Sequence, residues 1–355
     1  MMETVTVDPA EITQTMVDIL RAGGCAEDEA RCVAEHLTDA SATGHDSHGI
    51  IRILRYHQWL QTGQIRAGQG LTPMVELDAF TLFDGNSGMG QRLARDAVAR
   101  GIAMAKDRGF AGIGLRRAGH IGRLGAYTEQ AAAEGLVSIM FVNVAGSQLV
   151  APFGTGQRAA STAPVSVGVP NPGGDDFILD FATSMVAEGK ALVAAQGGAP
   201  LKVDALVDSD GRPTRDPAVL YGESVSSAVP DPRGGDGALQ AFGLHKGSGL
   251  MLACELLAGA LTSNGTNGAT EHPFGNGLLA VFIDPARLDA EGAIFPEVAG
   301  YIDFVRGLTP GTDTDRVLIP GDRERTLRAK RMREGIPLPK RVAEEIEALA
   351  RNELG

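Results

Sequence analysis

With 355 residues the chain is long enough for two domains, or one elaborated domain, around a substantial core. Hydrophobic residues at 43% and charged residues at 21% argue against disorder, and 47 glycines point to many tight turns and close backbone approaches. A net charge of -12 argues against a nucleic-acid partner, whose phosphates are met by basic patches, and Cys25, Cys32 and Cys254 form no C-x-x-C pair, so a reducing cytoplasm is expected.

Asp8-Pro9-Ala10-Glu11 reads as an N-cap, a proline in the first turn and a capping-box glutamate, which predicts a helix that Gly23-Gly24 ends. Ala30, Val33, Ala34, Leu37 and Ala40 recur at helical spacing and predict a second helix that Gly44 stops. From Phe80 the pattern alternates. Thr81 to Asp84, Ala111 to Arg116 and Leu136 to Asn143 read as strands, separated by helices at Gln91 to Lys106 and Leu124 to Glu134. Val165 to Val169 and Phe177 to Asp180 predict further strands, and Met185 to Ala195 a helix capped by Thr183 or Ser184. Leu250 to Leu261 predicts a buried helix, Pro230 to Gly237 and Ser263 to Thr270 predict loops, and the last fifty residues predict charged helices. The N-terminus lacks the basic stretch and apolar core of an export signal, and no apolar run approaches bilayer length, so neither export nor membrane insertion is expected.

The segment from Gly44 to Tyr56 carries the strongest chemical signal. If it is helical from Ser47 onward, His48, Arg52 and Tyr56 recur every four residues along one face, joining a proton-transfer group, an anion clamp and a phenol. A histidine titrates near neutral pH and a guanidinium forks onto a carboxylate, which is what a reducible 2-oxo acid requires. The plainer reading is a locally packed histidine and a solvated arginine. His45 and His48 one turn apart also raise a zinc hydrolase, but no H-E-x-x-H stands here and a third ligand would have to come from afar.

A second candidate is Gly119-His120-Ile121-Gly122, after a predicted strand, where His120 is placed to share proton transfer or carbonyl polarisation with His48. Gly88-Met89-Gly90 and Gly112-Ile113-Gly114 do not continue to G-x-G-x-x-G, so no Rossmann fingerprint occurs at either place. Leu179-Asp180-Phe181-Ala182-Thr183-Ser184 instead runs from a strand into a predicted helix start suited to a pyrophosphate, and Lys246 in His245-Lys246-Gly247-Ser248-Gly249 is a candidate phosphate partner. The alternatives are an ordinary capped helix and a solvated lysine. The basic run from Arg323 to Arg333 reads as a solvated helix face.

Taken in order, Gly44-His45-Asp46-Ser47-His48-Gly49, Gly119-His120-Ile121-Gly122, Ala151-Pro152-Phe153-Gly154, Leu179 to Ser184, Asp210 to Pro217, His245 to Leu250 and Pro320-Gly321-Asp322 resemble the malate/L-lactate dehydrogenase family. These are nicotinamide-dependent 2-oxo acid reductases with a non-Rossmann fold, and the likeness covers nearly the whole chain. The resemblance implies an α/β fold: a mixed cofactor-binding sheet flanked by helices over 78–304, with a helical domain built from both chain ends, 1–77 and 305–355. It implies a homodimer using NAD or NADP and a small carboxylate substrate. Ser47, Arg52 and Tyr56 would bind substrate, and His48, as first choice, or His120 would be the acid/base. Asn143, Asp180, Phe181, Ala182, His245, Lys246, Gly321 and Asp322 would contact the cofactor. Where the family often has Thr-Asn-Pro, this chain has Thr162-Ala163-Pro164.

The expected activity is reversible hydride transfer between NAD(P)H and a small 2-oxo acid. Within the family the rival is reduction of a cyclic imine carboxylate. From other classes the rivals are a zinc-dependent hydrolase and a non-catalytic small-acid binding protein.

Overall fold

The computed structural model describes residues 3–195, 199–222, 231–268, 272–312 and 314–354. A short strand, β1 (Thr4–Val7), leads into α1 (Pro9–Ala22), whose first N–H groups are capped as expected: the Asp8 carboxylate accepts from Ala10 and Glu11 at 2.8 and 3.0 Å. After α2 (Glu27–Ala42) the structure departs from the single helix expected from Ser47. Asp46–His48 form one 3₁₀ turn, Gly49 is extended, and α3 (Arg52–Thr62) begins only at Arg52. The cause is packing against α2. A Cβ on Gly49 would lie 2.0 Å from Ser41 Oγ, and that same hydroxyl accepts from the Ile50 N–H at 3.0 Å, which fixes the break.

Next come β2 (Thr72–Glu76), β3 (Phe80–Asp84), α4 (Gly90–Arg108), β4 (Phe110–Ala118), α5 (Gly125–Ala133) and β5 (Val137–Ala145), the alternation read from the sequence. The chain continues through β6 (Val150–Ala151), β7 (Val165–Val169), β8 (Phe177–Phe181), α6 (Glu188–Ala195), β9 (Leu206–Val207), β10 (Pro213–Thr214), α7 (Ala218–Tyr221), β11 (Ala238–Gln240), α8 (His245–Cys254) and β12 (Gly275–Ile283). It closes with α9 (Ile294–Arg306), α10 (Asp322–Glu334), β13 (Ile336–Pro339) and α11 (Lys340–Leu354).

The main sheet has the order β2-β3-β4-β12-β5-β7-β8. Only β3 and β4 run parallel, joined by α4; β12 enters antiparallel between β4 and β5, so the sheet is mixed and not doubly wound. Its core packs Leu93, Ala97 and Val98 of α4 against Ile113, Leu115, Met140, Leu278 and Phe282. A smaller sheet, β10-β9-β11-β6, lies apart from it.

The two chain ends build one layer. β1 pairs antiparallel with β13, Val5 opposite Leu338, and the core of α1, α2 and α3 (Met16, Leu20, Leu37, Ile53) is completed by Ile336, Leu338 and Ile346. Truncating a wholly buried side chain such as Ile346 to alanine would cost about 2–5 kcal/mol.

Three further expectations need correction. α6 starts at Glu188, not Met185, and neither predicted cap caps it: the Thr183 hydroxyl donates to the Thr162 carbonyl and the Ser184 hydroxyl to Val186. The helix read at Leu250 to Leu261 starts earlier, at His245, and passes into a π-helical turn over Glu255–Ala260. Only one of its faces is buried: Met251, Cys254 and Ala258 are fully enclosed, whereas Leu252, Leu256 and Leu261 face outward at 47–62% exposure. Of the two predicted loops, 231–237 and 263–268 fall among the described residues and are irregular, while Pro230 and 269–270 lie outside them. Among the described residues no helix is long and apolar enough to cross a membrane.

Candidate active site

The break before α3 determines how the predicted triad meets. His48 sits in the 3₁₀ turn with its Nδ1 3.0 Å from Ser47 Oγ, and Arg52, opening α3, turns back to donate from Nε to the Ser47 carbonyl. One turn on, Tyr56 is 1% exposed and points across the layer boundary, its hydroxyl 2.6 Å from His120 Nδ1. His120, on the loop leaving β4, stacks on His48 with ring centroids 5.4 Å apart and planes 22° from parallel. The structure thus brings Ser47, His48, Arg52, Tyr56 and His120 together, although no single helix face carries them.

A residue that the sequence reading passed over completes the arrangement. Gln91, buried in the first turn of α4, donates from Nε2 to the Tyr56 hydroxyl at 2.6 Å. Gly90 permits it. A Cβ there would lie 2.2 Å from the Gly119 carbonyl and 2.4 Å from that of His120, so only glycine lets α4 start against this loop. Gly88-Met89-Gly90 therefore has a packing role, and nothing in the sequence signalled Gln91 because a lone glutamine opening a helix is unremarkable chemistry.

With the Tyr56 oxygen accepting from Gln91, the arrangement that uses the phenol's own proton donates it to His120 Nδ1, which puts that ring's hydrogen on Nε2 when neutral. Burial pushes the Tyr56 phenol above its usual range, so it stays protonated and able to donate. Burial, followed by the Arg52 charge, depresses His48 to about 3 and His120 well below 6.5. Both rings are neutral at physiological pH. α6 closes the site from outside, a Cβ on its Gly189 lying 3.1 Å from Ser47 Cβ.

The residues matched to a cofactor are spread wider. The Asp180 carboxylate accepts from the Gly125 N–H at 2.7 Å at the start of α5, and burial raises it above the usual carboxylate range despite the neighbouring His45 and Arg123. Phe181 stacks edge-on with Phe242, and Ala182 lies partly buried between β8 and Thr183. His245 and Lys246 are exposed in the first turn of α8, His245 edge-on to Phe153. Gly321 and Asp322 start α10, 141 residues downstream of Asp180 in sequence but beside β8 in space, since Ile178 N–H donates to the Pro320 carbonyl. Asn143 is wholly buried: its amide donates to the Gly265 carbonyl and Glu255, and its oxygen accepts from Asn264. That side chain is spent inside the protein. Ala163, in the Thr162-Ala163-Pro164 stretch, has φ 37°, a conformation asparagine tolerates better than alanine.

For the zinc alternative, Asp46 is engaged by Arg331 at 2.6 Å, and among the described residues no group of three or more His, Cys, Asp or Glu is placed to hold a metal ion.

A mixed sheet whose flanking layer comes from both chain ends, with two histidines, a tyrosine and an arginine gathered at the seam, defines an α/β protein with a polar cluster between its layers. Comparison with known proteins places this fold. The sequence profile described as malate/L-lactate dehydrogenase matches residues 7–347. Hydroxycarboxylate dehydrogenase B of Escherichia coli K12 is 34% identical over 325 residues, covering 90% of this chain and 86% of that protein. An L-lactate dehydrogenase of Cupriavidus necator is 34% identical over 322 residues, covering 88% of each. The crystal structure of a dehydrogenase from Sinorhizobium meliloti superposes with a TM-score of 0.85 at 33% identity, covering 98% of this chain and 99% of that one. The chain belongs to the malate/L-lactate dehydrogenase family, and it is an oxidoreductase of the 2-hydroxy acid dehydrogenase kind.

Proposed function

We propose that the protein interconverts a small 2-oxo acid and its 2-hydroxy acid, using NAD or NADP, with His48, His120 and Arg52 acting on the substrate. The observation that carries the reading is the stacked His48–His120 pair next to Arg52, wired to Gln91 through Tyr56. The donor set fits a nicotinamide dinucleotide: neutral imidazoles stand near one end of β8 and arginines near the other, with Asp180 between them. Such a cofactor supplies or takes up the hydride at the carbonyl carbon.

This chain's own residues do the rest. Arg52 holds the substrate carboxylate in its guanidinium fork. His120, fixed with its hydrogen on Nε2, donates a hydrogen bond to the carbonyl oxygen and polarises it. His48 takes up a proton from solvent as substrate binds and passes it to that oxygen during reduction, and as the neutral ring it removes the hydroxyl proton during oxidation, its Nδ1 oriented by Ser47. A bound carboxylate offsets the Arg52 charge that helps depress His48, so substrate binding itself raises the imidazole's proton affinity. Substrate and acid are therefore coupled.

A homodimer is supported by the outward leucines of α8 and its π turn, Leu252 and Leu256, with Leu261 beyond them. The division into 1–77 with 305–355 and 78–304 is supported by the shared core of the chain ends, although the second boundary falls inside α9. Work in a reducing cytoplasm is supported by the free, buried state of Cys25, Cys32 and Cys254.

A panel of pyruvate- and oxaloacetate-like acids and cyclic imine carboxylates, assayed with NADH and NADPH, tests the activity. The expected result is cofactor oxidation with oxo acids, undiminished by strong chelators and lowered on the order of 10²–10⁴ in kcat by His48→Ala. Turnover lost on chelation, or none with any oxo acid, refutes it.

A further inference from the structure

A cavity of about 400 Å³ opens at the N-terminal end of α10, away from the histidines, lined by Asp175, Arg306, Arg316, Asp322, Arg325 and Thr326. Three guanidiniums face two carboxylates. Asp322 is engaged on both oxygens: Oδ1 accepts from Arg306 and Arg325, each at 2.7 Å, and Oδ2 accepts from the Ile319 N–H at 2.9 Å. It therefore works as a bracket that sets two guanidiniums side by side. Asp175, half exposed, lies 3.3 and 3.5 Å from the same two arginines. Arg316 has no carboxylate within salt-bridge distance among the described residues, and its side chain reaches only the Thr326 hydroxyl at 3.5 Å. The helix adds to this field, because its cap, Gly321, brings no side-chain acceptor to the first N–H groups.

An excess of guanidinium forks with a hydroxyl and an uncapped helix start is a receptor for a phosphate monoester, with tetrahedral geometry and up to two charges.

The cavity's position relates it to the histidines. Arg325 Nη1 donates to the Asp176 carbonyl at 2.9 Å, tying α10 to the approach of β8, while Asp180 at the other end of β8 neighbours His45, three residues before His48. At roughly 3.3 Å per residue, Asp175 and Asp180 stand about 16 Å apart, a span suited to a dinucleotide lying extended along β8.

We propose that this cavity binds the phosphate ester on the adenosine ribose, so that the protein prefers NADPH to NADH. The proposal rests on the dehydrogenase reading above and adds the cofactor's identity and the residues that select it. The shared chemistry, a phosphate monoester, has a second possible source in free inorganic phosphate, and the test separates the two.

Isothermal titration calorimetry of the full chain at fixed ionic strength, with NADPH, NADH, 2′,5′-ADP, 5′-AMP and inorganic phosphate, reads binding without turnover. NADPH and 2′,5′-ADP should bind at least about tenfold more tightly than NADH and 5′-AMP, the worth of one or two charge-assisted bonds. Arg316→Ala, at an exposed position, should bring both ratios close to one. Thr326→Glu, which sets a carboxylate against Arg316, should reverse them, and circular dichroism reports whether each variant is folded. NADH binding as tightly as NADPH, or ratios untouched by both variants, overturns the proposal. So does inorganic phosphate that saturates the protein without weakening NADPH binding, which would mark an anion site separate from the cofactor. Tight NADH binding with no preference for NADPH would leave the dehydrogenase reading standing, whereas binding of neither cofactor would overturn that reading as well.

Discussion

Tyr56→Phe isolates the role assigned to His120. The substitution keeps the ring, and with it the stacking on Trp59 at 5.8 Å, but removes the hydroxyl that lies 2.6 Å from both Gln91 Nε2 and His120 Nδ1. Two buried groups are left without partners. At about 1–3 kcal/mol for each unsatisfied polar group, folding stability should fall by about 2–4 kcal/mol once partial relaxation is allowed. Catalysis should suffer separately. Losing a bond of about 1.4 kcal/mol removes about a tenfold preference for hydrogen on His120 Nε2, which takes that tautomer from about nine-tenths to about half of the population, so kcat for reduction should drop about twofold with KM little changed. Steady-state kinetics with the oxo acid, paired with urea denaturation, measures both effects. Ring-nitrogen NMR of His120 would show the tautomer shift directly. A folded variant with wild-type kcat would refute the reasoning, since His120's hydrogen would then be held by something other than Tyr56.

Arg52→Ala removes the fork proposed to hold the substrate carboxylate, at a cost of roughly 2–5 kcal/mol, so kcat/KM for carboxylated substrates should fall at least tens of times; an unchanged value takes Arg52 out of the site. Arg52→Lys should recover only part of the loss, because an ammonium cannot grip both oxygens in plane. The histidines also predict how stability depends on pH. Burial holds His36 and His48 at about 3 in the folded chain, below the ordinary 6.5, so the unfolded chain binds more protons between those values and stability declines as pH falls below 6.5. At pH 5 each contributes a loss of about 2 kcal/mol, and urea midpoints at pH 7.5 and 5 should differ accordingly. His36→Gln should flatten that slope, and an unaltered slope would contradict the assignment.

The parts of the molecule that were legible in the sequence follow local rules. Asp8-Pro9 specified a helix start, the apolar runs from Thr81 to Asn143 specified strands, and the ordered motifs specified the family. What could not be read was set by contacts distant in sequence. Periodicity made His48, Arg52 and Tyr56 one helical face, but the Ser41 hydroxyl and the space denied to a Cβ at Gly49 break that helix, and neither is visible in a window around Ser47. Thr183 looked like a cap because a hydroxyl before an apolar run usually is one, yet the Thr162 carbonyl, 21 residues away, takes its proton. The leucines of α8 read as core for want of any signal that an apolar face can remain uncovered on a single chain.

The site lies on the seam between two layers with different cores. His48, Arg52 and Tyr56 come from the layer built by the chain ends, and Gln91 and His120 from the sheet layer. An apolar seam would hold the layers together but would fix no register between them, because hydrophobic contact has little direction. The Gln91–Tyr56–His120 chain is directional. Each of its bonds is 2.6 Å long, and a slip of even an ångström would leave buried polar groups unpaired. The bonds that give His120 its tautomer are thus also the bonds that register one layer on the other, so the histidines meet only when the layers are correctly docked. Sequence separation supports this, for 64 residues divide Tyr56 from His120, and no local propensity can bring them together. It also explains why a substitution at Tyr56 should affect stability and turnover at once, while Arg52→Ala, whose guanidinium hydrogen-bonds the nearby Ser47 carbonyl, should alter turnover with little effect on folding.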